Sequence, residues 1–327
     1  MEIRVLRGAE VRDLLPMPEC IELMHGTMIA VSEGRVVLPL RSVMPMPGDR
    51  GMLGNMPGYL AEPECFGVKL VSLMPRNKPP QHSSHLGLVL LFEAEHGCPV
   101  ALVDAAEITA IRTAAASGLA TRLLAREDAS DLAILGAGEQ ARSHLEAMLC
   151  VRRLRRIRVW ARDPDKARSF AATEGAKRAV TIETAATVRD AVKNADLICT
   201  LTKSREPILA GEWIAPGAHL NVVGSSIATA AEIDTPAVVR ARFFVDCRNS
   251  TIHEGGEYLR ALEAGAITPE HIRGEIGEVA NGSKAGRLSA ADVTLYKSLG
   301  VAPQDLASTH YVLSRARAAG VGQVIDF

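Results

Sequence analysis

The chain has almost no net charge: 37 Lys and Arg stand against 38 Asp and Glu over 327 residues. With no basic excess, nucleic acid is not indicated as a partner, and with no acidic tail, neither is a disordered solvating segment. No apolar run approaches the ~18 residues of a membrane span, so no membrane association is expected. The opening MEIRVLRGAEVRDLL is charged from its second residue and has no apolar core, which argues against a secretory signal. The cysteines Cys20, Cys65, Cys98, Cys150, Cys199 and Cys247 form no CxxC pair. Scattered through a chain without a signal, they read as reduced thiols of a cytoplasmic protein, each a small buried hydrophobe. HExxH is missing too, and His82 and His85 sit in QHSSHLG with no third ligand, so no metal is expected.

What is present is an alternation. Apolar residues make up 47% of a chain long enough for two domains. Between Asp131 and Arg248, the runs DLAILGAG, RIRVWAR, AVTIE, DLICTLT, AHLNVVGSS and RFFVDCR read as strands with helical segments between most of them. DPDKARSFAATEG is one such helix, with Asp163 as cap and Pro164 in its first turn. Short apolar strands alternating with helices imply a parallel sheet covered on both faces. The expected fold class is therefore α/β: a Rossmann-type parallel-sheet domain over residues 116–299 and a second, α+β domain of residues 1–115 with 300–327. In that second domain PMPECIELMHGTMIAVSEG reads as an amphipathic helix. VVLPLRSVMPM and CFGVKLVSLMP read as strands, and GLVLLFEAEH with GCPVALVDA as a hairpin around His96-Gly97. AAEITAIRTAAASGLATRLLARED reads as a long helix leading into the nucleotide unit.

The first turn of the alternating region is Gly136-Ala137-Gly138-Glu139-Gln140-Ala141, a GxGxxA that follows an apolar strand and opens a helix. Gly136 suits a tight turn, Gly138 lets backbone approach a pyrophosphate, and Ala141 lets helix and strand pack closely. The helix N-terminus then offers free N–H groups and a positive dipole end to the phosphates. In an NAD site an acid is expected at the end of the second strand. RIRVWARDPDKA has Ala161 there and Arg162 next, which suits a 2′-phosphate, so NADPH is the preferred cofactor and NAD a possible one. Asp163 would serve as the ribose acid if the register shifted by two.

Arg41, Lys69 and Arg112 are isolated cations in the apolar runs PLRSVM, GVKLVS and ITAIRTAA. Taken singly, each also suits a structural ion pair or a snorkelling side chain. Together they suggest a clamp for a substrate carboxylate, with bidentate contacts from the arginines. Lys69, if desolvated, would have a lowered pKa and pass a proton to or from nitrogen. Met44, Met46, Met52, Met56 and Met74 read as core or dimer-interface filler, and packing around Met56 and Tyr59 is expected to set the pocket volume. In Asn221–Asp234, NVVGSSIATAAEID, an apolar run breaks at Gly224 into Ser225 and Ser226, and Glu232 reads as an early-helix acid.

RSVMPMPG, FGVKLVS, SHLGLVLLF, IRTAAASGLATRLLA, ILGAGEQARSHLEAM and LYKSLGVAPQDLA together resemble the ornithine cyclodeaminase/mu-crystallin family along nearly the full length. The resemblance implies a protein that dimerises through sheets of its substrate-binding domain and performs nicotinamide-dependent chemistry at an amino- or imino-acid Cα. It matches Arg41, Lys69 and Arg112 to carboxylate-binding and proton-handling positions, and Ser84 to a substrate-side hydroxyl. Thr113 falls near the phosphates. Val223, Gly224, Lys297, Ser298 and Gly300 fall near the nicotinamide, and Thr200 and Ser225 join them as cofactor contacts. Where the cyclodeaminases have Gly-Ala-Asp, this chain has Gly224-Ser225-Ser226, and Ser226 replaces the carboxylate beside the reacting nitrogen. Mu-crystallin-like ketimine reductases resemble this chain there. The expected activity is reduction of a small 2-imino acid such as 1-pyrroline-2-carboxylate, with Lys69 and Ser226 as the catalytic pair. Ornithine cyclodeamination and non-catalytic nucleotide binding are the alternatives.

Overall fold

The computed structural model describes residues 2–77, 83 and 85–326. Their contacts divide the chain into two compact units, one of residues up to Arg112 with those from Val301 on, the other Thr113–Gly300. The chain begins with β1 (Glu2–Leu6), α1 (Gly8–Leu14) and α2 (Met17–Ser32). Strands β2 (Val36–Val37), β3 (Ser42–Pro45), β4 (Met52–Ala61), β5 (Glu64–Leu73), β6 (His85–Glu93) and β7 (Pro99–Asp104) follow, then α3 (Ala105–Leu124). The second unit continues with β8 (Asp131–Leu135), α4 (Glu139–Val151), β9 (Arg156–Trp160), α5 (Pro164–Arg178), β10 (Glu183–Thr184) and α6 (Val188–Val192). After these come β11 (Leu197–Thr200), β12 (His219–Val222), α7 (Thr235–Arg240), β13 (Arg242–Val245), α8 (Arg248–Glu254), α9 (Gly256–Glu263), β14 (Ile272–Glu275), α10 (Ile276–Ala280) and β15 (Thr294–Lys297). The chain returns to the first unit with α11 (Ala302–Ala319) and β16 (Gln323–Asp326).

The sheet of the second unit runs β10-β9-β8-β11-β12-β15-β13-β14, with every pairing parallel. Its first five positions follow the 3-2-1-4-5 order of a doubly wound nucleotide fold. The short apolar runs are buried throughout because helices cover both faces of a parallel sheet. Six strands are legible in the sequence, but β14 and β15, of four residues each, are not, and β15 inserts between β12 and β13. Of AVTIE only Glu183 is strand, continued by Thr184.

The sheet of the first unit runs β16-β1-β7-β6-β5-β4-β2, with β3 also on β4, and only β1 and β7 pair in parallel. The hairpin turn at Gly97, with φ +73°, joins the antiparallel β6 and β7 as expected. VVLPLRSVMPM splits into β2 and β3, while β4, which carries Pro57 and two glycines and was not foreseen, is a ten-residue strand. Pro57 is tolerated because β3 covers Met52–Asn55 and β2 covers Tyr59 and Leu60, so its missing N–H falls in the gap between them.

Register then decides what faces inward. Gly58 pairs with Gly67, and both point at α11: a Cβ built on Gly58 would lie 2.9 Å from the Ala302 Cβ, and one on Gly67 3.0 Å from Leu306 Cδ2. Two facing glycines therefore make a groove in which the start of α11 lies close against the sheet. One position along, Met56, Lys69, Val89 and Val103 form a single inward row across β4 to β7. Tyr59 is on the opposite face, its hydroxyl 3.0 Å from Glu64, so it does not shape a pocket around Lys69. The methionine cluster is not core: Met44 is 59% exposed, and none of the five is buried.

Candidate active site

In the first unit the inward row carries Lys69 to the first turns of α11. Lys69 is 3% exposed, its ammonium 2.8 Å from an Asp305 carboxylate oxygen and 3.4 Å from the Thr109 hydroxyl. Arg112 of α3, also buried, donates through Nε to Asp305 at 2.8 Å and through Nη1 to Gln304 at 2.8 Å. Nη2 takes part in neither contact. Arg41 stands half-buried just before β3, close enough for its charge to act on Lys69. Burial, then the Arg112 charge, lower the Lys69 pKa to about 8, with Asp305 opposing and Arg41 adding to the fall. Burial works to raise the Asp305 carboxyl, but Arg112 and Lys69 outweigh it and hold it below its ordinary value. Two buried cations thus share one buried anion, with Arg41 close enough for its charge to reach Lys69. The sequence reading did not single out Asp305 or Gln304, which the structure places in a stretch of α11 buried from Ala302 to Thr309.

In the second unit the GxGxxA turn has the conformation its residues demand. Gly136 has φ +125°, and a Cβ there would lie 2.6 Å from the Leu201 carbonyl oxygen. Ala137 and Gly138 lead into α4, which starts at Glu139 and Gln140 with Gly138 as its N-cap, and Ala141 is fully buried against the sheet. A Cβ on Gly138 would meet nothing within 4 Å, so the backbone there is open to approach. A cavity of about 490 Å³ opens beside the turn, lined by Ala137, Gly138 and Glu139 on one side and Lys166 and Phe170 of α5 on the other. Thr113 Oγ1 and Ser298 Oγ are buried with no hydrogen-bond partner among the described residues. A buried hydroxyl left so costs about 1–3 kcal/mol, and a ligand phosphate or ribose oxygen would relieve it. These features fit a dinucleotide. Arg162 is exposed two residues past β9, and Asp163 caps α5 by accepting from the Asp165 N–H at 3.0 Å.

The loop after β12 departs from expectation at Glu232. No helix starts there: α7 begins at Thr235, capped by Asp234, whose carboxylate accepts from the Ala237 N–H at 2.9 Å. Glu232 is instead fully buried, and its carboxylate accepts from the Thr200 hydroxyl, the Thr202 N–H and hydroxyl, and the Gly224 N–H. Burial raises its pKa against the pull of those threonine hydrogen bonds and the Lys297 charge. Ser225 donates its hydroxyl to Glu257, which pairs with Lys297 at 2.9 Å, and Lys297 donates to the Ser225 carbonyl and, at 2.8 Å, to its hydroxyl. Lys297 is thus engaged from beneath the loop. Gly300 and Leu299 donate their N–H groups to the buried Asp246 at 2.6 and 2.7 Å. Val223 is buried, while Ser226 is half-buried. Glu257 and Asp246 were missed by the sequence reading, which named Glu232 but gave it the role of a helix-start acid.

Ser84 and His82 lie outside the described residues. The six cysteines are free, but Cys150 is exposed and Cys98 half-buried, against the expectation that all are buried. Among the described residues no helix is long and apolar enough to cross a membrane.

The chain matches the ornithine cyclodeaminase/mu-crystallin family over residues 1–320. The delta(1)-pyrroline-2-carboxylate reductase of Bacillus cereus is 32% identical over 324 residues, 99% of either chain. The ketimine reductase mu-crystallin of Mus musculus is 37% identical over 280 residues, 86% of this chain and 85% of that one. The structure of Thermococcus litoralis delta(1)-pyrroline-2-carboxylate reductase, in complex with NADH and L-proline, is similar with a TM-score of 0.95 at 34% identity, over 98% of this chain and 99% of that one. Matched across nearly its whole length by sequence and by fold, the chain belongs to the ornithine cyclodeaminase/mu-crystallin family.

Proposed function

We propose that this protein is a nicotinamide-dependent reductase of small 2-imino acids, with a cyclic ketimine such as 1-pyrroline-2-carboxylate as its substrate. The observation that carries the reading is Lys69, a buried ammonium at a pKa of about 8 inside a cluster that keeps an excess of positive charge. A group at that pKa is mostly protonated at neutral pH yet gives up its proton readily, as a general acid for an imine nitrogen requires. Arg41 and the Nη2 side of Arg112 receive the substrate carboxylate, and Ser84 offers a substrate-side hydroxyl. Asp305 keeps Lys69 and Arg112 in place and leaves the cluster with charge to spare for one anion. The reduced cofactor, when bound, supplies hydride from nicotinamide C4. The N–H groups at Gly138–Gln140 receive its pyrophosphate, and the Thr113 and Ser298 hydroxyls satisfy further oxygens. NADPH is preferred over NADH, because Arg162 follows β9 and Asp163 is committed to its cap.

Similarity to reductases named for 1-pyrroline-2-carboxylate and ketimines supports this reading. So does the chemistry of the loop after β12. A cyclodeaminase needs a carboxylate to hold the distal ammonium of ornithine. Here Glu232 and Glu257 are buried and occupied by internal donors, and Ser226 cannot carry charge at neutral pH. The protein acts as a homodimer, supported by the apolar outer face of the first unit's sheet, and its free thiols favour a cytoplasmic setting. The test is a panel of cyclic and linear 2-imino acids with NADPH and with NADH, followed by loss of dihydronicotinamide absorbance. Turnover of 1-pyrroline-2-carboxylate with NADPH is expected. Ammonia release from ornithine without net cofactor consumption would replace this reading with cyclodeamination.

A further inference from the structure

We propose that Glu232 is a positioning residue that fixes the loop Val223–Ser226 under the nicotinamide ring, an inference that rests on the dinucleotide reading above. Its geometry is specific to a carboxylate. Oε1 accepts from the Thr202 N–H at 2.6 Å and the Thr202 hydroxyl at 2.7 Å. Oε2 accepts from the Gly224 N–H at 2.7 Å and the Thr200 hydroxyl at 2.7 Å. Each oxygen thus faces one threonine hydroxyl, which can rotate, and one backbone N–H, which cannot. Both oxygens must accept at all times. A carboxyl group does so whether ionised or protonated towards a threonine, but a glutamine of the same size turns an NH2 against one backbone N–H.

The donors belong to two neighbouring strand ends. Thr200 closes β11, Thr202 lies two residues beyond it, and Gly224 lies two residues beyond the end of β12. Glu232 therefore joins the C-terminal edges of adjacent parallel strands, where a doubly wound sheet binds its ligand. The pyrophosphate turn follows β8 in the first half of the sheet, so β11 and β12, in the second half, belong to the ring end of the dinucleotide. The backbone N–H of Glu232 donates to Glu257 at 3.0 Å, onto the same oxygen that receives the Ser225 hydroxyl, and Lys297 holds the Ser225 carbonyl. Gly224 is fixed from one side and Ser225 from the other, and the half-buried Ser226 follows on an irregular but anchored segment.

The experiment measures calorimetric affinities of the full-length wild type and Glu232→Gln at neutral pH. The ligands are NADPH and NADH, and ADP-ribose and its 2′-phosphate, which lack the nicotinamide ring. Glu232→Gln is expected to weaken the preferred dinucleotide roughly 10- to 100-fold, the effect of setting an NH2 against a buried backbone N–H, while the matching ring-less ligand binds within about twofold of wild type. Thr200→Val, which removes one donor and keeps every backbone contact, should give a smaller loss with the same ring selectivity, and it stands in if the glutamine variant does not fold. Equal weakening of dinucleotide and ring-less ligand, or no weakening, overturns the positioning role. A wild type that binds no nicotinamide dinucleotide overturns the cofactor reading itself, and this inference with it.

Discussion

Lys69 is governed by a contest between burial and charge, and that contest has a measurable sign. Its pKa falls from 10.5 to about 8, so the ammonium proposed above to protonate the imine is lost as pH rises through about 8. The rate of imine reduction should therefore decline about tenfold per pH unit above that point. Asp305→Asn removes the one group that opposes the fall, so this limb of the profile should move to lower pH. The same change leaves two buried cations without their shared anion, and urea unfolding should register a loss of about 3 kcal/mol or more. Lys69→Ala should bind dinucleotide as wild type does yet reduce imine 10²- to 10⁴-fold more slowly, and unchanged turnover would remove Lys69 from the mechanism. At this scale the cations were legible because each interrupts an apolar run. The acids were not. Asp305 stands in the first turns of a helix and Glu232 just before one, where an acid ordinarily serves a cap or the helix dipole. The cap beside Glu232 is Asp234, two residues on, and the difference lies in burial that only the folded chain creates.

Between elements, the clamp depends on how closely α11 approaches β4 and β5. The facing pair Gly58 and Gly67 sets that distance. Gly58→Ala places a methyl 2.9 Å from the Ala302 Cβ, three residues before Asp305, so the helix start must shift and carry Gln304 and Asp305 away from Arg112. A loss of about 1–3 kcal/mol is expected, with a rise in KM for the imine that exceeds any change in dinucleotide affinity. Gly67→Ala should be worse, because its Cβ would lie 2.3 Å from the Leu90 carbonyl oxygen, which cannot move without breaking the sheet. Apolar runs and a glycine turn were enough to find β5, β6 and β7, and the register of the folded sheet then puts Met56 beside Lys69 and Tyr59 on the far side. It could not find β4, whose proline and glycines are explained by neighbours distant in sequence, nor β15, whose four residues carry too little pattern to stand out.

For the whole molecule, two properties follow from what each unit buries and exposes. The second unit buries His144 and His219 as neutral rings, with burial as the main cause, lowering their pKa values to about 4 and about 3 from 6.5. Below about pH 6.5 the unfolded chain binds protons that the folded one refuses. Stability should therefore fall as pH drops from there toward those values, by about 1.4 kcal/mol per pH unit for each ring. Urea midpoints at pH 7 and pH 5 test this, and His219→Gln should flatten the decline. The α/β class and the nucleotide turn were legible because they rest on local runs and one glycine pattern. What covers the first unit's sheet was not, because a strand's outer face looks the same whether water or another subunit meets it. There the register lines up Phe66, Val68 and Leu70 of β5 with Phe92, Leu90 and Leu88 of β6, and the two phenyl rings stack at 5.1 Å. Leu70, Leu86 and Leu88 are 37%, 51% and 46% exposed in the single chain, an apolar stripe in the middle of a sheet rather than at its rim. A second copy presenting the same stripe would cover it about a twofold axis. Leu88→Glu puts a charge at the centre of that contact, where its desolvation is uncompensated, and should yield a monomer by light scattering with its fold intact. A variant that keeps the wild-type mass would place the subunit contact on another face.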